Sequence, residues 1–295
     1  MDFIKLTKKQ TGYFFIIAYG LAFVVGLLFV LIFDAVIQST LMKTFIANLL
    51  MTIVIYGFSL WTKNASMYDP YWSVIPPALL IFWIVYERVS LDITIFLLLV
   101  GIVLWATRLT LNWWKNWTGF KEQDWRYDLI KEKTKEYYLF SNFGAIHLIP
   151  TLVVYLQMIN VYQVVVMGSS VNLWIVLGFI LMLFGTSIQF VADKQMYEFR
   201  QSRPNKNMMI DRGIWLYSRH PNYLGELSLW LGVYLMYLGV TRTLDFNFVY
   251  PLAMIALFLF VSIPMMEKKL SDREGFIEYK DQVPALVPYP KRAVK

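Results

Sequence analysis

The 295-residue chain is 58% hydrophobic and 16% charged, with a net charge of +7 and a mean hydropathy of +0.52. A water-soluble domain is about half apolar and about a quarter charged, and disordered chains are poor in the aromatics that make up 18% of this one, so a soluble enzyme and a disordered chain are both excluded. The lack of cysteine excludes disulfides, thiolate metal sites and a cysteine nucleophile, and two histidines argue against a metal centre.

A helix needs about 20 mostly apolar residues to cross the hydrocarbon core. Twenty-four uncharged residues between Lys9 and Asp34 predict the first span, and 19 between Lys43 and Lys63 the second. The first run is too long for a cleaved signal peptide. Weaker candidates follow at 71–87 and at 92–110, the latter ending on Arg108. The 56 uncharged residues between Glu136 and Asp193 are broken by MGSSVN at 167–172 and hold two spans. Residues 221–241, which include Glu226, form a seventh, and 21 uncharged residues between Asp245 and Glu267 an eighth. The expected fold is all-α: a polytopic integral membrane helical bundle of about eight transmembrane helices. Lysine and arginine concentrate on the cytoplasmic side. With both termini cytoplasmic, the inner segments carry 24 of these residues and the outer ones 3.

Two long inner segments result, 108–143 and 192–222. With the C-terminal tail they make a basic, aromatic-rich face, suited to anionic lipid or to a phosphate-bearing ligand. No nucleic-acid module is visible.

Gln189, Asp193 and Arg200 recur at helical spacing and share a face. This stripe is either a solvated helix end or a ligand wall, in which Asp accepts from a ribose or amide and Arg grips phosphate. In SRHPNYLGELSLW (218–230), Pro221 suits a first helical turn, and Asn222, Glu226 and Trp230 fall on one face. A carboxylate at membrane depth is a functional candidate by default; its structural alternative is an internal ion pair with Arg219 or another basic residue. Arg219 and His220 precede the helix N-terminus, which favours an anion. His220 reads equally as a packing residue, His147 as an interfacial one, and Arg108 as snorkelling. In MYDPYWS (67–73), Asp69, Tyr71 and Trp72 stand at a membrane entry, as a turn with an aromatic belt or as part of a site. No dinucleotide-binding glycine motif, Walker loop, serine elbow or zinc-protease motif occurs.

The runs GIWLYSRHPNYLGELSLW, ADKQMYEFR, WATRL…DWRY and EKKLSDREGFIEYKDQVPALVP resemble the membrane steroid 5-alpha-reductase family, in particular its bacterial reductase-like branch. The resemblance implies a seven-helix core plus an extra N-terminal helix, with N-terminal helices at 1–64, a reductase-like domain at 65–290 and a tail at 291–295. It implies a bacterial inner-membrane protein that uses NADPH, and no metal, to reduce a conjugated carbon–carbon double bond in an apolar lipid or steroid. It places cofactor contacts on Gln189, Asp193, Arg200, Asn222 and Glu226, and Arg108 resembles the arginine of its fourth-span motif; the helix-start reading adds Arg219 and His220 as cofactor candidates, and Tyr223 joins them beside Asn222. The glutamate and tyrosine that polarise the ketone in steroid-reducing members align with Tyr71 and Trp105 here. Tyr71 with Asp69 is therefore the expected replacement, with Glu226 as a further catalytic candidate. The histidine and tyrosine of the family's C-terminal tail align with Lys268 and Asp272. The R-H-P-x-Y element also resembles isoprenylcysteine carboxyl methyltransferases, so an S-adenosylmethionine-dependent methyltransferase is the competing reading, and a non-catalytic sterol or lipid binder is a third. Asn222, Glu226 and the Gln189–Asp193–Arg200 wall favour the reductase.

Overall fold

A computed structural model describes residues 2–205, 207–210 and 212–288. The tail expected at 291–295 lies outside the described residues. Among these residues the regular structure is helical throughout, with no strand. Seven helical runs are long and apolar enough to cross a membrane, so the chain is an integral membrane protein built as a polytopic helical bundle.

The helices are α1 (Lys8–Ile32), α2 (Thr40–Thr62), α3 (Tyr71–Tyr86), α4 (Ile93–Asn116), α5 (Trp125–Thr134), α6 (Tyr138–Ser141), α7 (Ile149–Met167), α8 (Leu173–Ser202), α9 (Pro221–Thr241), α10 (Val249–Leu257), α11 (Ile263–Leu270) and α12 (Phe276–Gln282). A π-helix, Asn142–Leu148, joins α6 to α7, and another, Phe258–Ser262, joins α10 to α11. About eight spans were expected; seven runs among the described residues have the length and apolarity of a crossing, and the remaining candidate, α3, is apolar but short. It has 16 residues, about 24 Å at 1.5 Å per residue against a core of about 30 Å.

Helix starts follow local chemistry. Thr7 and Gln10 form a capping box on α1, Ser39 caps α2, and Asn172 caps α8 by accepting from two backbone N–H groups. Pro221 opens α9, where its missing N–H costs nothing.

The chain divides into two compact units. Unit 1 comprises 1–90 and 109–166. In it, α2 presents Thr40, Thr44, Asn48 and Thr52 at successive turns, all buried. Thr44 bonds the Tyr155 hydroxyl at 2.8 Å, and Thr52 bonds Thr151 at 3.0 Å. Such hydroxyl pairs hold helices together where the hydrophobic effect offers no net drive.

Unit 2 comprises 91–108 and 167–295, and its centre is the antiparallel pair α8 and α9. Glycines repeat every seven residues on both helices: Gly178 and Gly185 on one, Gly225, Gly232 and Gly239 on the other. A Cβ on Gly178 would meet the Gly232 carbonyl oxygen at 2.5 Å, and one on Gly232 would meet that of Gly178 at 2.6 Å. The backbones touch because neither helix carries a side chain there.

Candidate functional site

This close approach brings the Gln189 side chain from α8 onto α9. Its Nε2 donates to Glu226 Oε2 at 2.7 Å and to the Asn222 carbonyl at 3.2 Å. Glu226 is 3% exposed. It also accepts from the Trp105 indole of α4 at 2.8 Å and from the Trp230 indole, one turn along α9, at 3.0 Å. The two indoles meet edge to face with centroids 5.2 Å apart. Three N–H donors therefore hold the carboxylate, and no cation pairs with it among the described residues. The ion pair considered for Glu226 does not form. Arg219 points elsewhere, and neutral donors satisfy the charge, as hydrogen bonding to a carboxylate can.

Two polar groups on α8 and α4, the helices that supply Gln189 and Trp105, are left over. Gln189, 2% exposed, has a buried Oε1 with no partner among the described residues. Arg108 of α4 donates through Nη1 to Asp193 Oδ2 of α8 at 2.5 Å, while its buried Nε and Nη2 have no partner among the described residues. One acceptor and two donors of a guanidinium thus remain available. Arg200, further along α8, is exposed.

Arg219 is committed to structure. Nε and Nη2 donate to Glu267 Oε1 at 2.9 and 2.6 Å, and Nη1 donates to the Lys280 and Val283 carbonyls. Its backbone N–H bonds the Pro284 carbonyl at 2.9 Å, and that of His220 bonds Ala285 at 3.0 Å. Lys280 reaches Glu267 Oε2 at 3.0 Å. These bonds clamp the C-terminal segment onto the start of α9. The His220 ring lies parallel to Tyr223 at 5.1 Å, with Nε2 3.5 Å from Glu267 Oε1. Burial pushes its pKa down to about 4, outweighing the opposing pull of Glu267, so the ring is neutral at pH 7. At the helix start where an anion was expected, Arg219 is already engaged with protein, whereas His220 Nε2 is buried with no hydrogen-bond partner among the described residues.

In unit 1, Tyr71 is buried and donates to Asn48 Oδ1 at 2.8 Å. Asp69 accepts from Tyr127 at 2.5 Å. Burial raises the Asp69 pKa to about 6, nearby Asp124 adds to the rise, and Tyr127 opposes it. Tyr71 and Asp69 are not bonded to each other; each is held by its own partner.

A family described as "Protein of unknown function (DUF1295)" matches residues 55–283. The chain belongs to the DUF1295 family. An uncharacterized protein of Schizosaccharomyces pombe is 27% identical over 222 residues, 65% of this chain and 64% of its own length, so the match spans less than two thirds of that relative. No solved structure matches.

Within this DUF1295 chain, unit 2 brings together Arg108 with Asp193, and Gln189 with Asn222 and Glu226. Tyr223 packs on Phe258 at 4.8 Å. Trp105 is the residue whose role sequence reasoning did not supply: it was weighed as a ketone-polarising position, and its indole instead holds Glu226. Asn48 and Tyr127 were not singled out either. The polar stripe of α2, one residue every fourth position, is the signal that points to Asn48.

Proposed function

We propose that the chain is an NADPH-dependent reductase of a conjugated carbon–carbon double bond in an apolar lipid, steroid or isoprenoid, akin to the membrane steroid 5-alpha-reductases. The observation that carries this reading is the Glu226 arrangement: a buried carboxylate, held by three N–H donors, that fixes Gln189 with its amide oxygen unused. A nicotinamide carboxamide offers both an N–H2 and a carbonyl. Gln189 Oε1 is the acceptor type for the first and the unused Arg108 nitrogens are the donor type for the second, which supports the cofactor reading.

NADPH would supply the hydride that adds to the double bond. The chain's own residues bind and orient. Glu226 acts as a positioning residue, because its oxygens already accept three bonds and its effect passes through Gln189. Asp193 sets the Arg108 fork. Arg200, exposed near the end of α8, would hold a phosphate of the cofactor. Within unit 1, Tyr71 and Asp69 stay the proposed catalytic candidates; the Tyr71 hydroxyl, now donated to Asn48, would have to leave that bond to polarise a carbonyl, and Asp69 is the proposed proton reservoir. The basic inner segments support a bacterial inner-membrane location with both termini cytoplasmic.

Ligand stabilisation of the purified protein tests the reading. A ligand at 100 times its dissociation constant stabilises the folded state by about 2.7 kcal/mol. NADPH is expected to raise the melting temperature and S-adenosylmethionine to leave it unchanged. The reverse result would establish the methyltransferase alternative, and no response to either would leave a lipid binder.

A further inference from the structure

Unit 1 holds a second polar centre that the proposed reaction does not use. The π-helix Asn142–Leu148 leads into Pro150. Proline offers no N–H to the carbonyl one turn back, and the preceding turn widens. Turns of this kind recur at functional sites. His147 is fully buried, not interfacial as its sequence context suggests, and Asn142 is 2% exposed.

The tautomer of His147 follows from its partner. Nδ1 lies 3.0 Å from the Asn142 carbonyl oxygen. A carbonyl only accepts, so Nδ1 carries the proton and Nε2 is a bare acceptor. Neither Nε2 nor the Asn142 Oδ1 has a hydrogen-bond partner among the described residues, and both are buried. The walls cannot supply one. The rings of Tyr56 and Tyr68 lie 5.3 and 5.0 Å from the imidazole. The Tyr56 hydroxyl donates to the Leu139 carbonyl at 2.9 Å, and that of Tyr68 is bonded to Thr151 at 2.8 Å. Buried polar groups are normally paired, and two acceptors in one turn select a donor.

We propose that His147 Nε2 accepts the proton of the hydroxyl group of a membrane-borne alcohol, a sterol or long-chain isoprenoid alcohol, with the Asn142 amide oxygen as the neighbouring acceptor to which that single proton can turn. A ketone, ester or ether has no hydrogen to give. An ammonium group would need a counter-charge that these aromatic walls lack. A hydroxyl is the neutral donor that a bilayer lipid carries. Leu139 and Phe140, just before the π-helix, are 55% and 79% exposed, and the apolar helix α7 that follows belongs to a run with the length and composition of a membrane span. The flat rings of Tyr56 and Tyr68 suit a hydrocarbon body. This site is independent of the cofactor reading.

The test uses the full chain purified in detergent, with matched probes: cholestanol against cholestanone, and geranylgeraniol against its methyl ether. At least one alcohol should raise the melting temperature, and its matched ketone or ether should not. His147→Phe should abolish the preference, and Asn142→Leu should weaken alcohol affinity about two- to tenfold. Both variants should keep a monodisperse elution profile and the wild-type response to NADPH, whatever that response is. An equal response to alcohol and partner, no response to either alcohol, or a preference surviving His147→Phe overturns the proposal. Should His147→Phe fail to fold, His147→Gln, which retains an acceptor, must keep the preference; its loss in a folded protein also overturns it.

Discussion

Gln189 donates to Glu226 at 2.7 Å across the glycine-lined contact of α8 and α9, so the carboxylate and the amide form one unit. Changing either changes both.

Glu226→Gln replaces one accepting oxygen with a donor. The new amide oxygen can still serve Trp105 and Gln189, and its N–H2 then opposes the Trp230 indole. Loss of one hydrogen bond to a charged group costs about 1.5–3 kcal/mol. The melting temperature should fall by several degrees, and by more for Glu226→Ala, which strands three donors. NADPH affinity should fall in Glu226→Ala, which releases Gln189, and stay near wild type in Glu226→Gln, which keeps it held. Unchanged affinity in a folded Glu226→Ala protein would remove Gln189 from the cofactor site.

Arg108 and Asp193 should prove non-additive. Removing either strands its partner in a site where their side chains are 9% and 17% exposed. A double-mutant cycle with Arg108→Met and Asp193→Asn should give a coupling of about 0.5–3 kcal/mol in stability. Arg108→Met alone should also weaken NADPH binding about tenfold, whereas Asp193→Asn should weaken it less.

Two groups outside the spans give the stability–pH curve opposing slopes. Asp69, with its folded pKa raised to about 6, makes the folded state bind more protons than the unfolded one. Stability therefore falls as pH rises from about 4 to 6. His220, lowered to about 4, does the reverse: stability rises from about 4 to 6.5. Melting temperature against pH should slope upward over this window in Asp69→Asn and downward in His220→Gln, relative to wild type. Parallel curves would show that neither group titrates as its surroundings dictate.

Arg219→Lys should behave like Arg219→Ala. One ammonium cannot bridge Glu267 and two carbonyls as the guanidinium does. Limited proteolysis should cut near 276–288 in both variants and spare that segment in the wild type. Gly225→Ala should destabilise by about 1–3 kcal/mol through overpacking, since the new Cβ would lie 2.5 Å from Gln189 Cγ.

Periodicity and charge made the membrane bundle legible, because a lipid-crossing helix is written in one contiguous run. They also placed Asn222, Glu226 and Trp230 on one face, and the Glu226–Trp230 bond follows from that spacing. What met that face was not legible. Trp105 comes from α4, and no local pattern announces which helix supplies an indole. The same gap left Arg219 or another basic residue open as an ion-pair alternative for Glu226, whereas Arg219 reaches Glu267, 48 residues away. His147 looked interfacial because its flanks are apolar on one side and polar on the other. Its burial depends on a π-helix that only the proline two residues beyond Leu148 hints at. The reach of α3 is equally hidden, since its apolar run gives composition but not where the helix stops.

The polar stripe of α2 has a consequence for how the protein is made. Thr44 and Thr52 find their partners 111 and 99 residues later in the chain. During synthesis α2 therefore enters the membrane long before Tyr155 and Thr151 exist to receive its hydroxyls. Until α7 arrives, that face must be sheltered by the insertion machinery or by α1. A nascent chain halted near residue 100 should stay bound to its insertase and be degraded on release, whereas one extended past residue 170 should partition stably into the bilayer.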